Sequence, residues 1–549
     1  MTKKRKTTSD LVFKSKPQLA RAVLAATLGF VVAVALGEVA GVQAATITVN
    51  QDGSGDYTDI PPAVFAAAPG DTIMVAPGEY TGADLYFVSS GIKVIGSGPD
   101  TRIVRPCFEF LGFKFGCYVG VADAEISNLA IELENVVNTD FVYGVCIEYA
   151  PDIGSFAVDA TVKDVKITVA TYGISAFGTE RPRIEGNTIV VEAADIGILC
   201  SNSPNPVVTD NDISGIVEAA NSGIYCYNSP NPVITDNDIS GIYAWDCILS
   251  NYSPNAVITG NTMTSEAAYR GIEVFYSPNP EISGNTISGT YRNIALICSG
   301  SNEIDILNPI ITGNTISGTY EAHGIYLQRA LNADIAGNTI SGIGGRGGIF
   351  VIWSNFAIVE ENAIQNFRTE KASAAPIMVQ MSQNCTLTQN TLIDVYDHVN
   401  FVHDKGPIAG VNISGYGTWL DPCVNNTVQD NDYSQSGLPG FKASAAGFIN
   451  PGCVLLEAGW WGSDYGEALG NTVDEDLFPV LDPHQSDVCN QVVDLTLGSN
   501  TVIGLEDCDS QAYSHLVNML MQYQRMEELG VEHYEELSNF PYDNWPARP

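Results

Sequence analysis

The chain has 549 residues, 45% of them hydrophobic, so a large core can form and global disorder is excluded. Its 25 Lys+Arg stand against 63 Asp+Glu, a formal charge of −38. That balance argues against a nucleic-acid partner, because phosphate binding needs clustered cations.

The first 44 residues read as an address. Lys3, Lys4, Arg5, Lys6, Lys14, Lys16 and Arg21 precede an apolar run from Ala22 to Leu36, and Gly41–Ala44 offers small residues for cleavage. A secretory signal over 1–44 is expected. The apolar run is shorter than the roughly 20 residues of a membrane helix, so no membrane span is expected after cleavage. An uncleaved anchor is the alternative. The mature chain would then be secreted, periplasmic or at the cell surface. Twelve cysteines in such a chain suggest disulfides, and the absence of any CxxC pair disfavours zinc.

Residues 45–105 are expected to form an N-terminal cap and the first turns of a repeat, with a short helix over Asp59–Ala68 that Asp59 would cap. The repeat itself is plain in "SPNPVVTDNDISGI" (Ser203–Ile216) and "SPNPVITDNDISGI" (Ser229–Ile242). Asparagines recur at 187, 211, 237, 261, 285, 314, 338, 362 and 390, most of them 24 residues apart. Three residues before and two after each stands an aliphatic residue or Met. Short β-branched runs punctuated by Gly, Asn and Pro leave no helix-length segment in a unit. They fit an all-β fold, a parallel β-helix of about 24-residue turns over 106–482, each strand pairing with its copy about 4.8 Å along the axis. Stacking turns the asparagine column into a ladder whose amides bond from turn to turn, satisfying groups that would otherwise be buried unpaired. Cys200 and Cys226 fall in one inward slot on adjacent turns, and stacked thiols are expected there.

Three constellations invite a functional reading. Asp210 and Asp212 flank Asn211, and Asp236 and Asp238 flank Asn237, where other turns carry Gly and Thr. Four carboxylates brought that close either recruit a hard cation, calcium, or mark nothing more than a recent duplication. Counted from the glycine of the recurring "GI", Tyr225 and Tyr326 share one outward slot, Tyr227 and Phe275 a second, and Tyr252, Tyr276 and Trp353 a third. Such columns offer a platform to sugar rings or simply pack on themselves. An insertion loop is expected at 392–411, and Asp397, His398 and His403 within it are candidates for acid/base chemistry. Residues 483–549 form a tail, with helical spacing over Ser510–Phe540.

"TITVNQDGSGDYTDIPPAVFAAAPGDTIMVAPGEYTG" (Thr46–Gly82) looks like the opening of pectin methylesterases and related bacterial proteins, and "GWWGSDYGE" (Gly459–Glu467) like a closing turn. With the repeats between them, residues 46–480 resemble the right-handed parallel β-helix proteins of the pectin lyase-like superfamily. The resemblance implies that fold and an N-terminal cap helix. It does not bring a catalytic set. "DFVYG" (Asp140–Gly144) is similar to one methylesterase aspartate segment, but the remaining motifs are missing. The Asp-Asp dipeptide of polygalacturonases is absent, and "VYDHVN" (Val395–Asn400) has no lyase arginine motif beside it. The expectation is a carbohydrate-engaging binding module whose partner is a polysaccharide or cell-surface glycan. A polysaccharide lyase or hydrolase, and a structural adhesion protein, are the alternatives.

Overall fold

The computed structural model describes most of residues 44–397 and, beyond them, short strands between Val411 and Ile503. The expected signal and the helical tail lie outside the described residues. About 12 turns of a parallel β-solenoid follow one another, each turn built from three short strands. Val207–Thr209, Asp212–Ser214 and Ser222–Tyr227 make one turn; Val233–Thr235, Asp238–Ile242 and Asp246–Asn251 make the next. The copies pair in parallel and in register, Val208 with Ile234, Ile213 with Ile239 and Ile224 with Ile248. The first, second and third strands of successive turns therefore stack into three sheets around one core.

Strand alternation points every second side chain inward, and the repeat keeps those positions β-branched. Ile184, Val208, Ile234 and Ile258 line the first sheet, Ile189, Ile213, Ile239 and Met263 the second, Ile198, Ile224, Ile248 and Ile272 the third, all fully buried. Cys200 pairs in register with Cys226, both buried and free, so the stacked thiols are present as expected. Their mutual hydrogen bond, with burial, pushes the Cys226 thiol well above its ordinary range.

The buried asparagines form the ladder. The backbone N–H and Nδ2 of Asn211 both donate to Oδ1 of Asn237, at 3.0 and 2.9 Å, and the same Nδ2 donates to the Ile184 carbonyl at 2.9 Å. The pattern runs on through Asn261, Asn285, Asn314, Asn338, Asn362 and Asn390. A second buried ladder, at the turn after the third strand, passes through the hydroxyls of Ser203, Ser229, Ser253 and Ser277. A third lies on the surface, Asn205 to Asn332, side chain to side chain.

One residue ahead of each buried Asn the chain turns through the left-handed region. Gly260, Gly284, Gly313 and Gly337 take it with φ between 62 and 70°, and Asp210 and Asp236 with φ of 56 and 55°. Aspartate tolerates that region better than most side chains, which accounts structurally for the first aspartate of each "DND". Gly197 answers a different need, because a Cβ there would sit 2.6 Å from both the Gly223 carbonyl oxygen and Ile213 Cγ2. Neither atom belongs to a flexible tip. Gly197→Ala is expected to destabilise the protein by about 2–3 kcal/mol through overpacking, read as a shift in denaturation midpoint.

A seven-residue helix, Ile60–Ala66, stands where the sequence places one, with the Asp59 side chain accepting from Ile60 N–H. Its Ile60, Ala63 and Val64 join the core. The repeat does not break at residue 392: Thr391–Asp397 is a strand, paired with Ala363–Thr369. Backbone pairing there carries the strand on to Asp397, past the point where the polar residues suggested a break. His398 and His403 lie outside the described residues.

Candidate functional site

The third sheet presents its outward side chains in three slots per strand. The middle slot runs Leu199, Tyr225, Leu249, Glu273, Ile297, Tyr326, Phe350. Tyr225 and Tyr326 do share it, four turns apart. The next outward slot holds Tyr227, Asn251 and Phe275 on consecutive turns, so Tyr227 and Phe275 share a column with one turn between them.

The residue after that slot enters the turn, and it is conformationally unusual. Asn202, Asn228, Tyr252, Tyr276, Arg329 and Trp353 occupy it, all with φ between 47 and 52°. Asparagine is at home there, whereas tyrosine, arginine and tryptophan are strained, so the surrounding turn must hold them in place. The left-handed backbone aims these large side chains along the edge of the sheet.

Five of the seven expected aromatic residues meet. Ring centroids lie 6.1 Å apart for Tyr225 and Tyr227, 6.0 Å for Tyr227 and Tyr252, and 4.8 Å for Tyr252 and Tyr276. Phe275 closes the series against Tyr276 at 3.7 Å. Tyr227 and Tyr252 remain 38% and 41% exposed, enough to offer ring surface to a ligand. Burial pushes the Tyr225 hydroxyl up to about 12, against a hydrogen bond that the Asn251 side-chain amide donates to it. The other two stand apart. Tyr326 packs with Phe350 and with the buried His323, and Trp353 carries the Arg329 guanidinium 5.0 Å above its ring.

Beside the ring series lies a charged cluster that the repeat pattern did not point out. Asp246 and Arg270 occupy successive positions of the slot that opens the third strand, and Glu273 sits in the middle slot next to them. All three are largely buried. Arg270 Nη1 contacts a Glu273 carboxylate oxygen and lies 3.5 Å from Asp246 Oδ1. Burial raises the pKa of both carboxyls, and for Asp246 the Glu273 charge adds to it. The two carboxyls also hydrogen-bond to one another. One proton is therefore shared by the pair, and Arg270 lies against the charge that remains. At the outer end, Trp245 is 48% exposed and leans on Tyr269 at 5.1 Å, with the Arg270 guanidinium 4.9 Å over the Tyr269 ring.

A signal for this cluster was present in the sequence but masked. Cys247 stands where the turns on either side carry the "GI" glycine, Gly223 and Gly271, so the turn holding Asp246 does not align on that anchor.

Asp212 and Asp238 pair in register on the exposed edge of the second sheet, and Asp210 and Asp236 occupy the left-handed positions ahead of the ladder. Among the described residues, no three His, Cys, Asp or Glu side chains gather in a way that would hold a metal ion. Also among those residues, no helix is long and apolar enough to cross a membrane.

No curated protein matches the chain. Among solved structures it is similar to the A-module of a mannuronan C-5 epimerase of Azotobacter vinelandii, at 15% identity and TM-score 0.36, over 70% of this chain and 92% of that one. It is also similar to a surface protein and adhesin of Streptococcus pneumoniae, at 11% identity and TM-score 0.40, over 60% and 90% of the two chains. A tailspike protein of the E. coli bacteriophage HK620, solved with a pentasaccharide, aligns at 11% identity and TM-score 0.45, over 79% and 74%. The family model described as "Right handed beta helix region" matches residues 113–245, 153–309 and 307–452. Those stretches cover more than half of the sequence, and the chain belongs to the right-handed β-helix family.

Proposed function

We propose that this is a carbohydrate-engaging protein of the secreted, periplasmic or cell-surface space, and that its third sheet binds a polysaccharide or cell-surface glycan. The observation that carries the reading is the continuous ring series Tyr225, Tyr227, Tyr252, Tyr276 and Phe275, partly open to solvent on a rigid sheet edge. Aromatic faces present apolar area to the C–H faces of sugars with little conformational freedom to lose. The strained backbone at Tyr252 and Tyr276 supports a role in binding, since such strain collects at ligand sites.

The Tyr252→Ala/Tyr276→Ala variant tests it on a glycan array, with and without calcium. The parent is expected to retain at least one glycan. The variant, still folded by circular dichroism, is expected to bind it at least tenfold more weakly, as for truncated interface aromatics. Undiminished binding by the variant would remove the ring series from the site. Calcium-dependent retention would bring the Asp210, Asp212, Asp236 and Asp238 group into account. The second reading, a lyase or hydrolase, has the proton-sharing Asp246–Glu273 pair in its favour; release of shortened glycan during incubation would assign it.

A further inference from the structure

We infer that the sugar recognised beside Asp246, Arg270 and Glu273 is neutral and hydroxyl-rich, and not a uronate. The inference rests on the carbohydrate reading above and specifies its ligand. Three buried polar atoms of this face make no normal hydrogen bond: Asp246 Oδ1, whose ion pair with Arg270 Nη1 is a long 3.5 Å; Arg270 Nε; and, five residues along from Asp246, Asn251 Oδ1. Buried polar groups are normally satisfied, and a bound ligand would supply these partners. Two are acceptors and one is a donor. A sugar hydroxyl donates and accepts at once, and adjacent hydroxyls answer a neighbouring acceptor and donor together. A carboxylate accepts only, so it would serve Arg270 Nε and leave both acceptor oxygens stranded.

Charge points the same way. Arg270 already faces the carboxyls of both Glu273 and Asp246, so the cluster offers an incoming anion no unpaired cation. An anion would instead lie close to Glu273, where a like charge weakens binding by roughly tenfold or more. Arg329 belongs to a separate place, two turns beyond Tyr276 and over Trp353. Glu273 and Arg270, whose side chains are 12% and 18% exposed, carry the cluster toward the surface beside Trp245 and Tyr269.

The experiment titrates the full chain with a neutral galactomannan, a neutral β-glucan, polygalacturonate and alginate by calorimetry, at about 0.15 M salt to screen the overall charge. A neutral polymer is expected to bind at least tenfold more tightly than either polyuronate. Asp246→Asn, which keeps an acceptor and mimics the protonated acid, is expected to retain that preference. Asp246→Asn/Glu273→Gln leaves Arg270 without either carboxylate partner, so polyuronate binding should rise at least tenfold, a gain that misfolding cannot produce. Polyuronate bound by the parent as tightly as the neutral polymers, or unchanged in Asp246→Asn/Glu273→Gln, overturns the inference. If that binding is lost in Tyr252→Ala/Tyr276→Ala, the ring reading stands and only the neutrality fails. Binding of none of the four polymers overturns both.

Discussion

Asn261→Ala is expected to lower stability by about 3–5 kcal/mol, seen as an earlier denaturation midpoint and as faster hydrogen exchange around Asn237. Asn261 Oδ1 accepts both the backbone N–H and the Nδ2 of Asn237, at 3.0 and 2.9 Å. Its own Nδ2 donates to the Ile234 carbonyl at 2.9 Å and to Asn285 Oδ1 at 3.0 Å. Alanine strands these groups where water does not reach, each at a cost of about 1–3 kcal/mol before the turn relaxes. Asn261→Asp keeps the acceptor but buries a charge and gives up the donor, so it should fail as well, least so at acid pH. Asn255 in the surface ladder is the control. Its left-handed φ of 58° suits glycine, and Asn255→Gly should stay within about 0.5 kcal/mol of the parent. A loss below about 1 kcal/mol for Asn261→Ala would mean that the ladder is not what holds the turns together.

Arg270→Met should cost about 3–5 kcal/mol at pH 8 and much less near pH 4, by removing one partner of a buried ion pair. In the parent, Asp246 and Glu273 have pKa values above their ordinary 3.8 and 4.5, chiefly from burial. The folded state thus holds protons more tightly than the unfolded chain does. Their contribution is fully present below about pH 4 and is lost as pH rises through the folded values. Removing the guanidinium takes away the cation that opposes the shift at both carboxyls, so the gap between variant and parent widens with pH. Arg270→Met/Glu273→Gln, with no anion left to strand, is expected to recover most of the loss. Denaturation midpoints at pH 4, 6 and 8 decide it, and a gap that does not change with pH would contradict a buried carboxyl pair held in check by Arg270.

The columns of this protein were legible because a fixed period converts sequence position into position in space. Once the asparagines were aligned, the buried isoleucines, the Cys200–Cys226 stack and the shared slots of Tyr225 with Tyr326 and Tyr227 with Phe275 followed without coordinates. The stretch after Leu392 misled for the same reason in reverse. Its polar residues do not match the repeat, yet backbone pairing carries the strand on to Asp397, because ladder hydrogen bonds are indifferent to side-chain identity.

By itself, the sequence determined the fold, the ladder and the residues that line each column, since all of these depend on copies of one slot meeting across about 4.8 Å. The tertiary structure decided which different slots meet. That Tyr227 reaches Tyr252 depends on the left-handed backbone at residue 252 swinging its ring along the sheet edge. That Asp246, Arg270 and Glu273 form one cluster depends on long side chains crossing between slots and turns, hidden by a cysteine in the glycine column. Diagonal contacts of this kind are set by side-chain direction and by the room neighbours leave. Neither is written in a period.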